Sequence, residues 1–340
     1  MRLLVVTQAV DTEEPVLGFF VRWIEELAKR VEHIEVICLK EGKHDSLPAN
    51  VRVHSLGKEK GAPRFARRAW YALRFLRLAW RLRHDYDAVF VHMNQEYVLI
   101  FGPLWKLLGK PVFMWRNHYA GSWLTDIAAA FCTKVFCTSK HSYTARYKRT
   151  VLMPVGVDTE RFKPDPRVVR KPHSILFLSR MSPVKRPEML LDALALLAEN
   201  GIDFTADFVG SPLPGNAAYY AALKEKARPL GNRITFSPAV PNAATPDLYR
   251  AHEIFVNATP SGAFDKTLFE AAACGCRVLA MSDDWHALAG ESAYFDSPEI
   301  LAERLMAASV PSDMPDYVAR NSLAALAEAL EKEVYSGNRP

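Results

Sequence analysis

The chain has 340 residues, of which 49% are hydrophobic and 24% are charged; this composition is typical of a folded protein of about two domains and excludes a disordered chain. No run of about 18 apolar residues is present, and Met1–Gln8 becomes polar too early for a signal peptide, so we expect no membrane span and a cytoplasmic location. Five cysteines without metal-ligand spacing predict free thiols, and a net charge of +5 is too mild to indicate a partner by itself.

Strand-like and helix-like segments alternate along the first half of the chain. The hydrophobic patterns predict amphipathic helices near Gly18–Arg30 and Tyr97–Leu108. They predict strands near Leu3–Thr7, Glu35–Leu39, Val51–Ser55, Ala88–His92, Val112–Trp115, Lys134–Thr138 and Val151–Val155.

The second half repeats this alternation. Helices are predicted at Pro187–Glu199, Ala217–Ala227 and, near the end of the chain, Tyr317–Tyr335. Strands are predicted near Ile175–Ser179, Thr205–Val209, Ile234–Ser237, Ile254–Asn257 and Val278–Met281. Such alternation predicts an α/β protein built from two doubly wound, mostly parallel, Rossmann-like sheets.

The proline-rich stretch Gly156–His173 is the predicted connection between two domains. It carries Pro164, Pro166 and Pro172 among charged residues, and prolines stiffen and extend such connectors. We therefore expect an N-terminal domain at 1–165, a C-terminal domain at 166–316 and a closing segment at 317–340.

The loop after the first strand lacks the glycines of a dinucleotide-binding turn, and the chain has no Walker-type loop. Nicotinamide chemistry and P-loop phosphoryl transfer are therefore disfavoured. Gly18 would let the backbone approach a ligand at this strand end. The alternative is that Gly18 is simply a glycine at the start of a helix.

The segment Arg64–Arg83 is the most distinctive charge feature. The spacing places four arginines on one helical face, and tryptophans, phenylalanine and leucines supply apolar bulk; the arginines are Arg67, Arg74, Arg77 and Arg81. A basic helix with interfacial tryptophans suits an anionic membrane surface. The alternative is a connector helix whose arginines are solvated. Nucleic-acid binding is disfavoured, because no recognition motif accompanies these arginines.

Polar residues follow two neighbouring strand ends of the first half. His92 and Glu96 follow one strand, and Arg116, Asn117 and His118 follow the next. In open α/β sheets such positions face the ligand crevice. We take His118 as a candidate for the acceptor side, as a hydrogen-bond partner of a sugar hydroxyl or as a base, although an isolated histidine at such a place is more often structural.

The first loop of the second half carries cations suited to a diphosphate. Arg180 offers a planar fork of donors, Lys185 offers a mobile point charge, and Pro187 suits the first turn of a helix. Two cations in a loop are weak evidence for a diphosphate site by themselves. The prediction is stronger because a second loop follows a later strand of the same sheet, so phosphate donors from both loops would meet over one crevice.

That second loop is Ser261–Cys276, which opens into a helix at the carboxyl end of a strand. Asp265 is predicted to cap a helix that starts at Lys266, and Gly275 to end it in a left-handed turn. Free backbone N–H groups and the helix dipole favour an anion there. Glu270, one turn in, would accept hydrogen bonds from ribose hydroxyls; the alternative is an ordinary loop with a solvated glutamate.

In their order and spacing, these pieces resemble the family 4 retaining glycosyltransferases of the GT-B fold, over nearly the whole chain. Phe177–Lys185 is similar to the family's Gly-Arg-Leu-x-x-x-Lys phosphate clamp, and Leu268–Gly275 matches the second half of its Glu-x7-Glu motif. Phe236–Pro241, with Val240, resembles the segment that meets the nucleotide base. Leu248–Val256 resembles the elements leading into the donor site, and Val155–Phe162 resembles the hinge signature.

Two departures from the family pattern concern the donor site. The first Glu of Glu-x7-Glu is Gly262 here, within a Gly-x-Phe-Asp-Lys variant typical of a bacterial branch: Gly262, Ala263, Phe264, Asp265, Lys266. Backbone N–H groups of Gly262–Phe264 would bind donor oxygens, and Asp265 or Lys266 would replace the missing carboxylate. In the first loop, Gly18 stands alone where the family often has a Gly-Gly pair.

The resemblance implies two GT-B domains facing across a crevice, with the closing segment 317–340 packing back toward the N-terminal domain. It implies sugar transfer from a nucleotide sugar with retention at the anomeric carbon. It implies catalytic roles for His118, Arg180, Lys185 and Glu270. It also implies donor contacts from Gly18, Val240, Gly262, Ala263, Phe264, Asp265, Lys266 and Thr267. Fixed cations would stabilise the leaving diphosphate, so no cofactor and no metal is expected, and Asp283-Asp284 is interpreted as a loop rather than a metal site.

The acceptor is expected to be a sugar or a lipid-linked sugar, in bacterial cell-surface glycan or glycolipid assembly, with the arginine stripe on the inner face of the membrane. The competing hypothesis is a non-catalytic nucleotide-sugar-binding scaffold with a GT-B body, because the first motif Glu is absent. A GT-B epimerase or phosphorylase is a weaker alternative.

Overall fold

The computed structural model describes residues 1–14, 16–61, 67–261, 265–307 and 314–337. The chain divides into two units: unit 1 comprises Met1–Gly156 together with Leu323–Pro340, and unit 2 comprises Val157–Ser322. Each unit has its own sheet and its own core.

Unit 1, in its described residues, is built on a seven-stranded parallel sheet of order β3-β2-β1-β4-β5-β6-β7. Its strands are β1 (Arg2–Val10), β2 (His33–Glu41), β3 (Val51–Ser55), β4 (Ala88–His92), β5 (Val112–Trp115), β6 (Lys134–Cys137) and β7 (Thr150–Leu152). Its helices are α1 (Phe19–Ala28), α2 (Arg67–Arg81), α3 (Gln95–Leu107), α4 (Trp123–Phe131) and, from the end of the chain, α12 (Leu323–Gly337).

The alternation of side chains along β1 divides the core of unit 1 into two layers. Leu3 and Val5 pack in the layer that α1 and α12 cover. Leu4 and Val6 pack in the opposite layer, with α2, α3 and α4. Helices on both faces explain why these parallel strands are apolar throughout rather than alternately polar.

Unit 2, in its described residues, holds a five-stranded parallel sheet of order β10-β9-β8-β11-β12. Its strands are β8 (Ser174–Leu178), β9 (Thr205–Val209), β10 (Ile234–Ser237), β11 (Ile254–Asn257) and β12 (Arg277–Ala280). Its helices are α5 (Pro187–Glu199), α6 (Ala217–Ala227), α7 (Thr245–Ala251), α8 (Lys266–Ala273), α9 (Asp283–Ala289), α10 (Pro298–Met306) and α11 (Met314–Arg320).

Most predicted elements lie within a residue or two of the observed ones, and the strand ends that differ by three residues are those of β1, which continues to Val10 instead of Thr7, and β7. The sequence predicted Val151–Val155, whereas the strand ends at Leu152. Pro154 has no N–H to donate to a neighbouring strand, so the ladder stops before it.

The closing segment is two helices rather than the predicted single helix over Tyr317–Tyr335. The backbone leaves the helical path at Asn321 and Ser322, between α11 and α12. There the carbonyl of Asn321 accepts a hydrogen bond from the Val157 N–H (2.9 Å), and Ser322 forms a bridge with Val157. The side-chain amide of Asn321 donates a hydrogen bond to the carbonyl of Tyr317 (2.9 Å), which satisfies an acceptor at the end of α11.

These same residues mark where the chain passes from one unit to the other. The passages lie at Gly156–Val157 and at Ser322–Leu323. The predicted boundary at residues 165 and 166 therefore falls inside unit 2. The prolines that suggested this boundary come after Gly156–Val157, where the chain passes between units. Their segment belongs to unit 2, because Arg250 donates hydrogen bonds to the carbonyls of Arg161 and Lys163.

We predict that Gly210→Ala destabilises unit 2 strongly. Gly210 has φ +153, and a Cβ there would lie 1.8 Å from the carbonyl oxygen of Ser179 in the loop after β8. Because the obstacle is backbone, we expect a loss of about 3 kcal/mol in the free energy of unfolding, measured by urea denaturation. Gly201→Ala is the control, since Gly201 also has positive φ (+71) but open space around it, and we expect about 1–2 kcal/mol there. Equal losses in the two variants would contradict the steric explanation.

Candidate functional site

Two loops of unit 2 emerge at the same edge of its sheet. β8 and β11 are neighbouring parallel strands, so the loop after β8 and the loop after β11 both begin at the carboxyl edge. β8 also pairs with β9 on its other side, which makes this the point where the strand order reverses. Open α/β sheets bind their ligands at such a point.

Lys185 and Asp265 join the two loops. The Lys185 Nζ lies 2.9 Å from Asp265 Oδ2 and donates to the Thr259 hydroxyl at 3.1 Å. The side-chain amide of Asn257, at the end of β11, donates to Asp265 (3.2 Å) and to the Thr267 hydroxyl (3.1 Å). The predicted phosphate-binding lysine is therefore already engaged by a carboxylate, and an incoming phosphate has to compete with Asp265.

The charge state of Asp265 is set by this network. Burial by itself would raise the pKa of the Asp265 carboxyl, but the Lys185 ammonium and the hydrogen bond from Asn257 outweigh burial and hold that pKa at about 2. Asp265 is thus an anion at neutral pH, and its charge balances that of Lys185.

Helix α8 begins and ends where the sequence predicted. Asp265 is its N-cap and accepts a hydrogen bond from the N–H of Thr267 (3.3 Å). Gly275 follows its end with φ +85, the left-handed conformation that glycine adopts without strain. Asp265 therefore has the N-cap role that the sequence offered for it, while its role in place of the missing motif carboxylate stays a prediction.

Glu270 is buried, not solvated: only 4% of its surface is exposed. The Tyr249 hydroxyl donates to its Oε2 at 3.4 Å. Burial raises the pKa of Glu270, and the nearby Lys266, one turn earlier on α8, opposes that rise. Burial likewise lowers the pKa of Lys266, against the attraction of Glu270 and Asp158. Buried groups with shifted pKa values at a strand edge are typical of functional sites.

The stretch that resembled a hinge signature contributes to this site, which the sequence did not predict. Asp158 and Arg161 act electrostatically on Lys266 and Glu270, respectively. Phe162 packs near Tyr249, with ring centroids 6.1 Å apart. No spacing rule links residues more than a hundred positions apart, so only the fold reveals that this turn lies beside α8.

The remaining donor-side candidates have different environments. Arg180 is exposed after β8, and its guanidinium has no hydrogen-bond or ion-pair partner among the described residues. Val240 is half-buried in the loop after β10, where the N–H of Ala239 donates to the Ser211 hydroxyl (3.0 Å). Gly262, Ala263 and Phe264 lie outside the described residues.

The candidates of the first half lie in unit 1, apart in the chain from the donor-side set. Gly18 is buried, and a Cβ there would come 2.6 Å from the Glu14 carbonyl, so close backbone packing requires glycine. His118 is exposed after β5, and its Nδ1 accepts a hydrogen bond from the Ala120 N–H (2.9 Å). Its Nε2 has no partner among the described residues.

His92 is a core residue, which corrects the expectation that it lines a ligand site. It is the last residue of β4, is 2% exposed and stacks on Phe20 with ring centroids 3.9 Å apart. Its Nδ1 lies 3.3 Å from the Thr7 hydroxyl. Here the alternative structural interpretation of a histidine at a strand end is the right one.

Asp283 and Asp284 begin helix α9, so the interpretation of this pair as a loop was wrong. Asp284 is buried and the N–H of Asp283 donates to the Ser261 hydroxyl (2.6 Å). Among the described residues, no group of three histidine, cysteine or carboxylate side chains is arranged to hold a metal ion. Within the same residues, no helix is both long and apolar enough to cross a membrane.

The donor-side loops fall within a segment with a recognisable family pattern. Residues 172–308 match the family Glycosyl transferases group 1. A D-inositol 3-phosphate glycosyltransferase of Geodermatophilus obscurus is 30% identical over 152 residues, which cover 41% of this chain and 34% of that protein. The chain thus spans about a third of the length of the curated relatives it matches.

Solved structures match over nearly the whole chain. Sucrose-phosphate synthase from Thermosynechococcus elongatus has a TM-score of 0.77 at 15% identity, covering 99% of both chains. Anabaena Alr3699/HepE, solved in complex with UDP and glucose, has a TM-score of 0.69 at 19% identity, covering 99% of this chain and 97% of that one. The predicted fold class is confirmed: two parallel-sheet α/β units of the GT-B glycosyltransferase type.

We predict that Lys185→Ala costs about 1–3 kcal/mol of stability near neutral pH, because it leaves the partly buried Asp265 carboxylate without its cation. The pKa of Asp265 then rises from about 2, since burial is no longer opposed by Lys185. Stability that depends on ionised Asp265 is present above its unfolded pKa of 3.8 and is lost as pH falls through the folded value. The stability lost in Lys185→Ala relative to the wild type should therefore shrink as pH falls from the raised pKa of Asp265 in the variant towards its wild-type value of about 2.

Urea unfolding of the wild type and the variant across this pH range measures the deficit. The control is the same substitution in an Asp265→Asn background, where removing the lysine should cost little. A deficit that is independent of pH and undiminished in that background would show that the pair does not carry the effect.

Proposed function

We propose that the protein is a retaining glycosyltransferase of family 4 type that moves a sugar from a nucleotide-sugar donor to an acceptor hydroxyl. The observation that carries the proposal is the pairing of the β8 and β11 loops, with Lys185 held at the N-terminus of α8 and Glu270 buried one turn into it. The family match over residues 172–308 and the UDP bound by the structural neighbour support the same assignment.

The leaving diphosphate would be stabilised by charges that are in place before the reaction. On binding, the diphosphate would draw Lys185 from Asp265 and engage the exposed guanidinium of Arg180. In the proposed front-face step, the bond from the anomeric carbon to the diphosphate oxygen breaks. The acceptor oxygen bonds to that carbon from the same face, and its proton passes to the departing diphosphate. Fixed cations in a partly buried site stabilise such charge better than solvent does.

Glu270 would bind the ribose of the donor. A carboxylate accepts two hydrogen bonds from a vicinal diol, and Tyr249 orients one of its oxygens. Val240 and the loop around it would meet the base, while Lys266, Thr267 and the stretch Gly262–Phe264 would complete the donor contacts. Unit 1 would bind the acceptor, with His118 as a hydrogen-bond partner or base, and Gly18 would let the backbone approach the donor.

The proposal includes no metal and no cofactor. Arg180, Lys185 and the N-terminus of α8 offer the positive charge that a divalent ion would otherwise supply. The acceptor is proposed to be a sugar or a lipid-linked sugar used in bacterial cell-surface glycan or glycolipid assembly. The arginines of α2 would then bring the protein to the inner face of the membrane as a peripheral protein of the cytoplasm.

A nucleotide-sugar-binding scaffold without activity is the second candidate. It is favoured by one observation, the glycine at position 262 where the family motif begins with Glu. A scaffold of this kind would bind the donor through the same loops but would not break the bond at the anomeric carbon.

We predict that UDP-glucose binds the wild type and that Lys185→Ala and Glu270→Gln each weaken binding at least tenfold, or about 1.4 kcal/mol. Isothermal titration calorimetry measures the affinity directly, which matters because Lys185→Ala also lowers stability. Lys171→Ala is the control, because Lys171 is an exposed cation just before β8, at the opposite end of that strand. The same titration with GDP-, ADP- and dTDP-glucose identifies the base. No binding of any donor to the folded wild type would refute the donor site.

We also predict slow hydrolysis of the donor in the absence of acceptor, with release of the α-anomer of glucose and no loss of rate in a chelator. Proton NMR during the first turnovers, before mutarotation, identifies the anomer. Initial release of the β-anomer would exclude retention, and a rate abolished by chelation and restored by Mg²⁺ would exclude the metal-free proposal. Binding without any turnover would favour the scaffold.

A further inference from the structure

Helix α2 has one buried side and one basic side. Phe75 and Ala79 are fully buried in the core of unit 1, which fixes the rotation of the helix about its axis. Arg74, Arg77 and Arg81 follow each other at spacings of three and four residues, so they lie on a common face. The burial of the apolar side therefore decides where the three guanidinium groups are presented.

These three arginines line one pocket together with the end of β3. The pocket has a volume of about 450 Å³ and is also lined by His54 and Ser55, with Leu56 and Leu78 as its apolar part. This volume lies within the range of about 300–1,000 Å³ that is usual for small-molecule sites. Arg67, the first arginine of the stripe that the sequence predicted, is exposed and is not among the lining residues.

The positive charge in the pocket is not neutralised by the described part of the protein. No ion pair among the described residues involves Arg74, Arg77 or Arg81, and Arg77 and Arg81 have no hydrogen-bond partner there. Arg74 is positioned by the Ser55 carbonyl (3.4 Å) and by the ring of Trp70, 4.6 Å from its guanidinium carbon. Both contacts leave its charge uncompensated.

Glu59 and Glu35 hydrogen-bond residues that line the pocket, and both already have other partners. Glu59 accepts hydrogen bonds from the Ser55 hydroxyl (2.8 and 2.9 Å) and from the N–H of Glu41 (3.2 Å). Glu35 is 3% exposed and lies between His33 (2.8 Å) and His54 (2.5 Å). Neither carboxylate pairs with the arginines, so the pocket offers its guanidinium groups to an anion from outside.

We propose that this pocket binds a phosphate or diphosphate group of a ligand. Guanidinium groups match phosphate oxygens with paired N–H donors, and three of them around one pocket suit more than one negative charge. Leu56 and Leu78 leave room for an apolar part beside the phosphate. The site lies in unit 1, away in the chain from the loops of the donor site, and it does not depend on the transferase proposal. Its ligand is either a soluble phosphate ester or the phosphomonoester headgroup of a lipid.

The test measures binding of inorganic pyrophosphate and of vesicles to the full chain. Calorimetry with pyrophosphate is done on the wild type, on Arg77→Gln/Arg81→Gln and on Arg68→Gln, a control that removes an exposed arginine of α2 outside the pocket. Each of these three titrations is repeated in a Lys185→Ala background, which distinguishes pyrophosphate binding in this pocket from binding at the proposed donor site. Vesicle flotation uses phosphatidylcholine alone, with phosphatidic acid, or with phosphatidylglycerol at matched surface charge.

We expect the double variant to lose at least tenfold in affinity for the probe that binds, while Arg68→Gln and Lys185→Ala keep that affinity. Binding of pyrophosphate with this pattern assigns a soluble phosphate ester. Binding only to phosphatidic acid vesicles with this pattern assigns a lipid phosphomonoester. The proposal is overturned if neither probe binds. Equal binding to both anionic lipids, weakened by Arg68→Gln as much as by the double variant, would also overturn it, because net charge alone would then explain the attraction.

Discussion

The ion pair between Lys185 and Asp265 is the interaction on which the donor side of the molecule depends. It joins the loops after β8 and β11, and Asp265 at the same time caps helix α8. One carboxylate therefore fixes the position of the cation, the start of the helix and, through Asn257, the end of the strand. Such a group cannot be removed without affecting all three, which makes it a structural element of this candidate site.

A phosphate that binds Lys185 would have to break the ion pair that Lys185 already forms with Asp265. A phosphate that takes Lys185 leaves Asp265 with Asn257 and the helix N–H as its remaining partners. If the donor binds here as proposed, its attraction is the difference between two pairings, so the free energy of the lost pair offsets part of the free energy of the new one. In the other unit, the arginines of α2 have no such competitor in the described residues, and an anion there gains the full attraction of the guanidinium groups.

Burial and a neighbouring cation together set the environment of Glu270. Glu270 is buried, accepts a hydrogen bond from Tyr249 and is within electrostatic reach of Arg161. Lys266 lies one turn before it and lies close enough to affect its charge. Glu270 and Lys266 thus give the candidate site a buried carboxylate with a cation nearby, an arrangement that costs desolvation free energy.

The sequence by itself determined the alternation of strands and helices, the cap at Asp265, the end of α8 at Gly275 and the residues that flank the donor-side strand ends. These follow from local rules, since periodicity, capping and turn chemistry act over a few residues. It did not determine the passage between units at Gly156 and Ser322, the core position of His92 or the burial of Glu270. Only the tertiary structure decided those, because they depend on contacts between segments far apart in the chain, and no local pattern encodes which distant side chain will fill a given space.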